Sequence, residues 1–150
     1  MGIEQLRAFL RRHRRIALDA SIFIYQLEAN PKYLAHTRVI FSWLELPESE
    51  AVTSTITMTE LLVAPYRESN DQLANDFHGL LSTYPNLDWI PPNLEIADLA
   101  ARIRALHLLK TPDALQAATA VNAQATAFIT NDKVFERIDA FDALVLDRLL

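Results

Sequence analysis

The sequence predicts an α/β fold built on a mainly parallel sheet of about five strands. Two observations carry the prediction. Short apolar runs alternate along the chain with longer stretches of helical periodicity, the pattern of strand–helix–strand units. The 150 residues, 51% of them hydrophobic, suffice for one domain with a substantial core, expected to span residues 1–150.

Taken in order, Arg15-Ile16-Ala17-Leu18-Asp19 reads as a buried strand closed by a carboxylate. Ser21 to Glu28 and Tyr33 to Leu46 read as helices broken at Asn30-Pro31. Glu50 to Ser54 is the second strand, and Thr57 to Tyr66 and Asp71 to Thr83 are helices. Leu87 to Ile90 forms a third short strand before Pro91-Pro92. Leu94 to Leu109 is an amphipathic helix with Ile96, Leu99, Ile103 and Leu106 on one stripe. Thr111 and Pro112 suit the N-cap and first position of an alanine-rich helix, Asp113 to Gln124. Thr126 to Thr130 is the fourth strand and Leu144 to Asp147 the fifth. With only two glycines, turns fall to Pro, Asn, Asp and Ser.

Composition removes several chemistries. There is no cysteine, which excludes disulfides, thiolate zinc sites and cysteine nucleophiles. Five arginines lie between Arg7 and Arg15, but no apolar segment follows them, so no secretory signal is expected. No apolar run reaches the roughly 18 residues of a membrane span, and the expected location is the cytoplasm. A net charge of −5 argues against a nucleic-acid partner. A carboxylate cluster that holds divalent ions is itself acidic, however, and the ions invert its local field.

The carboxylates supply the functional signal. Ligands of open parallel sheets bind outside the carboxyl ends of the strands. Asp19 ends the first strand, and Asp132 follows the fourth by two residues. Asp113 opens the helix that leads into the fourth strand, and Glu60 lies in the first turns of the helix after the second. Topology alone therefore brings four acids to one rim. Such a cluster needs protons or cations to neutralise it. Oxygen-only ligands suit Mg²⁺ or Mn²⁺, and a pair of such ions about 4 Å apart is the usual clamp for phosphodiester hydrolysis. His13, His36, His78 and His107 show no metal-type spacing.

The same residues carry a family resemblance. Leu18-Asp19-Ala20-Ser21 resembles the first motif of PIN-domain nucleases, and Ser54-Thr55-Ile56-Thr57-Met58-Thr59-Glu60-Leu61 the second. Pro112-Asp113-Ala114-Leu115-Gln116-Ala117-Ala118-Thr119-Ala120 is similar to the third, and Ile129-Thr130-Asn131-Asp132-Lys133-Val134-Phe135 to the fourth. Four motifs in family order span residues 18 to 135. The resemblance implies a three-layer α/β/α fold, Mg²⁺ or Mn²⁺ dependence and RNA cleavage. In size the chain is similar to VapC-type toxins, which implies a small antitoxin protein as partner. By the resemblance, Asp19 and Asp113 are the direct metal ligands, with Glu60 and Asp132 completing the set partly through water. Ser21 and Thr130 offer hydroxyls, and Asn131 an amide, to water or substrate. Many relatives carry a further acid at the position of Val134.

Plainer roles compete at each position. Thr57-Met58-Thr59-Glu60 fits a capping box, and Asp113 complements a helix dipole. Asp132 suits a turn, Ser21 an N-cap, and Asp147 a solvated end. The arginines at 11 to 15 read as a solvated helix end. Phosphatase chemistry at Asp19 would need a second Asp where Ser21 stands, and receiver chemistry an acidic pair ahead of the acceptor and a distal Lys, and neither pattern is present. The remaining rival is a fold-retaining module that binds RNA or protein without cutting. Phe23, Ile24, Tyr25, Phe41 and Trp43 look surplus to one sheet face, which suggests a homodimer or an antitoxin groove.

Overall fold

Residues 2–150 are described in the computed structural model of the chain. The elements run α1 (Gly2–Arg12), β1 (Arg15–Leu18), α2 (Ala20–Leu27), α3 (Leu34–Leu44), β2 (Glu50–Ser54), α4 (Ile56–Arg67) and α5 (Asp71–Ser82). There follow β3 (Leu87–Ile90), α6 (Leu94–His107), α7 (Thr111–Asn122), β4 (Ala127–Thr130) and β5 (Asp142–Val145). Short 3-10 helices cover Lys133–Arg137 and Leu146–Leu149. The five strands form one parallel sheet in the order β3-β2-β1-β4-β5. Helices cover both faces, giving the predicted three-layer α/β/α fold.

The central strands β1 and β4 are largely apolar because both of their faces are buried. Side chains alternate between faces along a strand, so each strand feeds two cores. Ile16, Leu18, Ala51, Ala127 and Ile129 join the core beneath α1, α2 and α3. Ala17, Val52 and Phe128 point the other way, against Ile96 and Ile103 of α6 and the alanines of α7. Those alanines let α7 lie close to the sheet: Ala114, Ala117, Ala118 and Ala120 are fully buried.

The structure revises several expectations. Of helix α1 only the arginine-bearing end was expected, and Leu6, Phe9 and Leu10, spaced as one helical stripe, anchor it. Strand β5 begins two residues before its expected start, and α7 begins at Thr111 with Lys110 as its N-cap. Helix α6 ends at His107 because Leu108 turns left-handed, at φ 58°. Ala29, Ser69, Asn86 and Gln124 also take positive φ, so residues other than the expected Pro, Asn, Asp and Ser make some turns. Phe23 and Phe41 are buried, with Ile24, Tyr25 and Trp43 packed against the same core. Phe23 and Phe41 are thus consumed internally, while Ile24, Tyr25 and Trp43 are only partly buried and keep some surface open. No helix among the described residues is long and apolar enough to cross a membrane.

Candidate functional site

Strands β1 and β4 are neighbours, and from them the sheet grows outward in opposite directions. At such a switch point the connections diverge and leave a crevice at the carboxyl ends of the strands. A pocket of about 240 Å³ occupies that crevice, lined by Asp19, Glu60, Asp113 and Asp132 together with Ser21, Tyr25, Gln116 and Asn131. All four predicted acids thus meet at one pocket. A larger cavity of about 1080 Å³ lies along α4 and α5, but no carboxylate lines it.

Asp19 is the most constrained of the four. It caps α2 in an extended conformation, at φ −90° and ψ 175°. Its Oδ1 accepts from the Ser21 backbone N–H at 2.9 Å and from the Ser21 hydroxyl at 2.5 Å. Its Oδ2 accepts from the Thr130 hydroxyl. Burial dominates nonetheless and pushes the carboxyl up to about 6, against the pull of these hydrogen bonds. The expected N-cap, Ser21, instead lies inside α2 and donates to the true cap.

Glu60 and Asp113 are also pushed up. For Glu60 the causes are loss of water, then the charges of Asp19 and Asp113. For Asp113 they are loss of water, then Asp132, with Lys110 opposing weakly. Asp113 does sit in the first turn of α7, as the dipole reading requires, but its surroundings outweigh that field. The capping box at Glu60 is absent. Helix α4 starts at Ile56 with Thr55 as its N-cap, and the Thr57 hydroxyl is committed to Thr53 and Gln116. Asp132 is exposed and does fill its plainer role, its Oδ1 accepting from Val134 N–H at 2.9 Å to start the 3-10 helix. Its Oδ2 is not part of that cap.

None of the four acids forms an ion pair with a basic side chain among the described residues. No group of three His, Asp or Glu side chains among those residues is already arranged to hold an ion. The acids therefore share a pocket without converging on one point, with both Asp19 oxygens turned to hydroxyl groups. The donor set is oxygen-only and uncompensated, which fits a hard divalent cation.

Asn131 and Asp147 depart from their expected roles. Asn131 donates its amide to the Tyr25 hydroxyl at 3.0 Å and accepts from Asp147 N–H at 2.9 Å, so it ties the pocket rim to the C-terminal segment. Asp147 accepts from the Tyr33 hydroxyl at 2.6 Å and lies 3.7 Å from Lys32, which makes it a paired group and not a free end. The sequence reading missed Tyr25 and Gln116 as pocket residues. Gln116 could have been found, since it lies three residues from Asp113 and so on the same helical face.

A family model for the PIN domain matches residues 16–141. The chain belongs to the PIN-domain family. Solved structures share this PIN fold. VapBC-1 from nontypeable Haemophilus influenzae matches at 25% identity and TM-score 0.67, over 89% of this chain and 98% of that one. A toxin–antitoxin complex from Klebsiella pneumoniae matches at 23% identity and TM-score 0.64, over 87% and 97%. VapBC-5 from Mycobacterium tuberculosis, a member of the VapBC family of toxin–antitoxin systems, matches at 20% identity and TM-score 0.58, over 88% and 98%. No curated protein matches the chain. The family match begins at Ile16, so α1 lies ahead of the matched residues while packing into the same core.

Proposed function

We propose that this PIN-domain protein is an endoribonuclease dependent on Mg²⁺ or Mn²⁺, the toxin of a type II toxin–antitoxin pair. The observation that carries the reading is a pocket lined by four carboxylates that no basic side chain neutralises. Asp19, Glu60, Asp113 and Asp132 would hold the ion. When bound, such an ion supplies positive charge against the phosphate and a water of lowered pKa for attack on phosphorus. The chain's own contribution is orientation. Ser21 and Thr130 fix Asp19 by both oxygens, while Glu60 and Asp113 bring opposing charge from two different helices. The Tyr25 hydroxyl, held by Asn131, stands at the rim where an RNA strand would enter.

A small antitoxin protein, a homodimeric state and a cytoplasmic location belong to the same reading. Its support for the partner is the PIN fold shared with proteins solved as toxin–antitoxin complexes. Light scattering of the purified protein, with identification of any small protein that co-purifies with it, tests partner and stoichiometry together.

The decisive experiment is cleavage of a mixed structured RNA pool with Mg²⁺, Mn²⁺ or EDTA, using wild type, Asp19→Asn and Asp113→Asn. Metal-dependent cutting lost in both variants supports the nuclease. No cutting by folded, inhibitor-free protein favours a fold-retaining RNA- or protein-binding module, a rival to which the lack of three converging acids lends weight. Cutting that survives both substitutions would place the site elsewhere.

A further inference from the structure

A line of buried hydrogen bonds runs under the acidic pocket and belongs to none of the roles above. Gln116 on α7 donates from Nε2 to the Thr57 hydroxyl on α4 at 2.8 Å. The Thr57 and Thr53 hydroxyls lie 2.7 Å apart, and Thr53 donates to the Leu18 carbonyl at 2.8 Å. Each hydroxyl has a single proton. With Thr53 committed to the carbonyl, Thr57 must donate to Thr53 and accept from Gln116. The line therefore has one direction, from α7 through α4 and β2 to the end of β1. Gln116 is 4% exposed, Thr53 2% and Thr57 0%, so the two threonines cannot exchange partners for water without opening the core, and of the three only Gln116 borders the pocket.

The line visits the supports of three pocket acids. Glu60 lies three residues after Thr57 on α4, and Asp113 three residues before Gln116 on α7. Residues three apart share a helical face. Leu18 immediately precedes Asp19. Meanwhile the charges of Asp19 and Asp113 bear unfavourably on Glu60, so these elements carry groups that push one another apart. Gln116 stands among the buried alanines of α7, where an apolar side chain would satisfy packing alone.

Resting on the metal-dependent reading above, we infer that Gln116 is a positioning residue: its hydrogen bond to Thr57 sets the separation of Glu60 and Asp113 and holds them to a common ligand geometry. It acts through Thr57 and need not touch RNA or metal.

The test compares wild type with Gln116→Met, which keeps length but loses the donor, and with Thr57→Val, Thr57→Ser and the Gln116→Met/Thr57→Val double variant. Mn²⁺ affinity is titrated by electron paramagnetic resonance without RNA, beside thermal unfolding in EDTA. Groups that orient metal ligands change affinity by about 10–100-fold when removed. Gln116→Met is expected to bind Mn²⁺ about tenfold more weakly while folded, with kcat reduced and KM for RNA unchanged. Thr57→Ser should stay near wild type. The double variant should match the weaker single one, since both remove the same bond. A purely structural role would lower the unfolding temperature and leave the affinity of the folded protein within twofold, which would overturn the inference. Should Gln116→Met not fold, Gln116→Asn, one methylene too short to reach, replaces it with the same expected and contrary results. Wild type that binds no Mn²⁺ would refute the metal reading itself and this role with it, a failure distinct from intact binding in the variants.

Discussion

The Thr130 hydroxyl donates to Oδ2 of Asp19 across 111 residues of chain, and the Thr130 Oγ1 itself accepts from the Asp132 backbone N–H at 3.0 Å. One hydroxyl at the end of β4 thus orients the acid after β1 and the loop that carries the exposed acid. Thr130→Val keeps shape but leaves both partners unsatisfied. It should cost about 1–3 kcal/mol, as for other buried groups deprived of a partner, whereas Thr130→Ser should recover most of the loss. Urea unfolding of the three proteins in EDTA measures this. Equal stability for Val and Thr would show that the bond contributes nothing net.

Asn131 gives a second separation of roles. Both ends of its amide are used, toward Tyr25 and Asp147, so its first duty is to hold the rim. Asn131→Ala should lower stability by about 1–2 kcal/mol through two lost hydrogen bonds. Its effect on RNA cleavage should appear mainly in KM, through a loosened Tyr25. A large fall in kcat at unchanged stability would instead return Asn131 to the direct role that the family resemblance assigns it.

Much of this was legible in the sequence, for reasons that differ by residue. The strand ends were readable because buried parallel strands are continuous apolar runs, and Asp19 interrupts one with a charge. From the element order, Glu60, Asp113 and Asp132 followed to the same edge. Only the arginine-bearing end of helix α1 was read, although Leu6, Phe9 and Leu10 carry its periodic signal. The roles of Ser21 and Thr57 were misjudged because capping patterns are local, while the register that decides them is tertiary. Ser21 sits two residues past its presumed position only because Asp19 itself caps α2. The Gln116–Thr57 bond joins residues 59 apart, beyond the reach of any short motif.

Leu108 offers a prediction about stability alone. It ends α6 at φ 58° and ψ 37°, a left-handed conformation, with its side chain 81% exposed. A branched residue there carries roughly 1–2 kcal/mol of backbone strain, and little packing would be lost on its removal. Leu108→Gly should therefore stabilise the fold by about 0.5–1 kcal/mol, raising the unfolding temperature by roughly 2–4 °C for each kcal/mol in a chain of this size. Scanning calorimetry measures the shift directly. A fall in melting temperature would mean that Leu108 contributes contacts its exposure conceals.

The electrostatics of Asp19 predict an inverted dependence of stability on pH. Its carboxyl is pushed up to about 6 from an ordinary value of 3.8, chiefly by burial. Between those values the folded state binds more protons than the unfolded chain, so stability from this group falls as pH rises. The contribution is fully present below about 4 and lost above about 6. Asp19→Asn removes the titration while retaining an acceptor for Ser21. In EDTA the variant should be more stable than wild type at pH 7.5 by about 1–3 kcal/mol, the scale set by a shift of this size. The two should converge near pH 4. Glu60, pushed the same way first by burial and then by the charges of Asp19 and Asp113, relaxes in part when the Asp19 charge is removed and adds to the difference in the same direction. Urea midpoints of both proteins at the two pH values decide the matter. A variant no more stable than wild type at pH 7.5 would mean that Ser21 and Thr130 fully offset the burial of Asp19. The uncompensated charge invoked at the pocket would then be smaller than its lining implies.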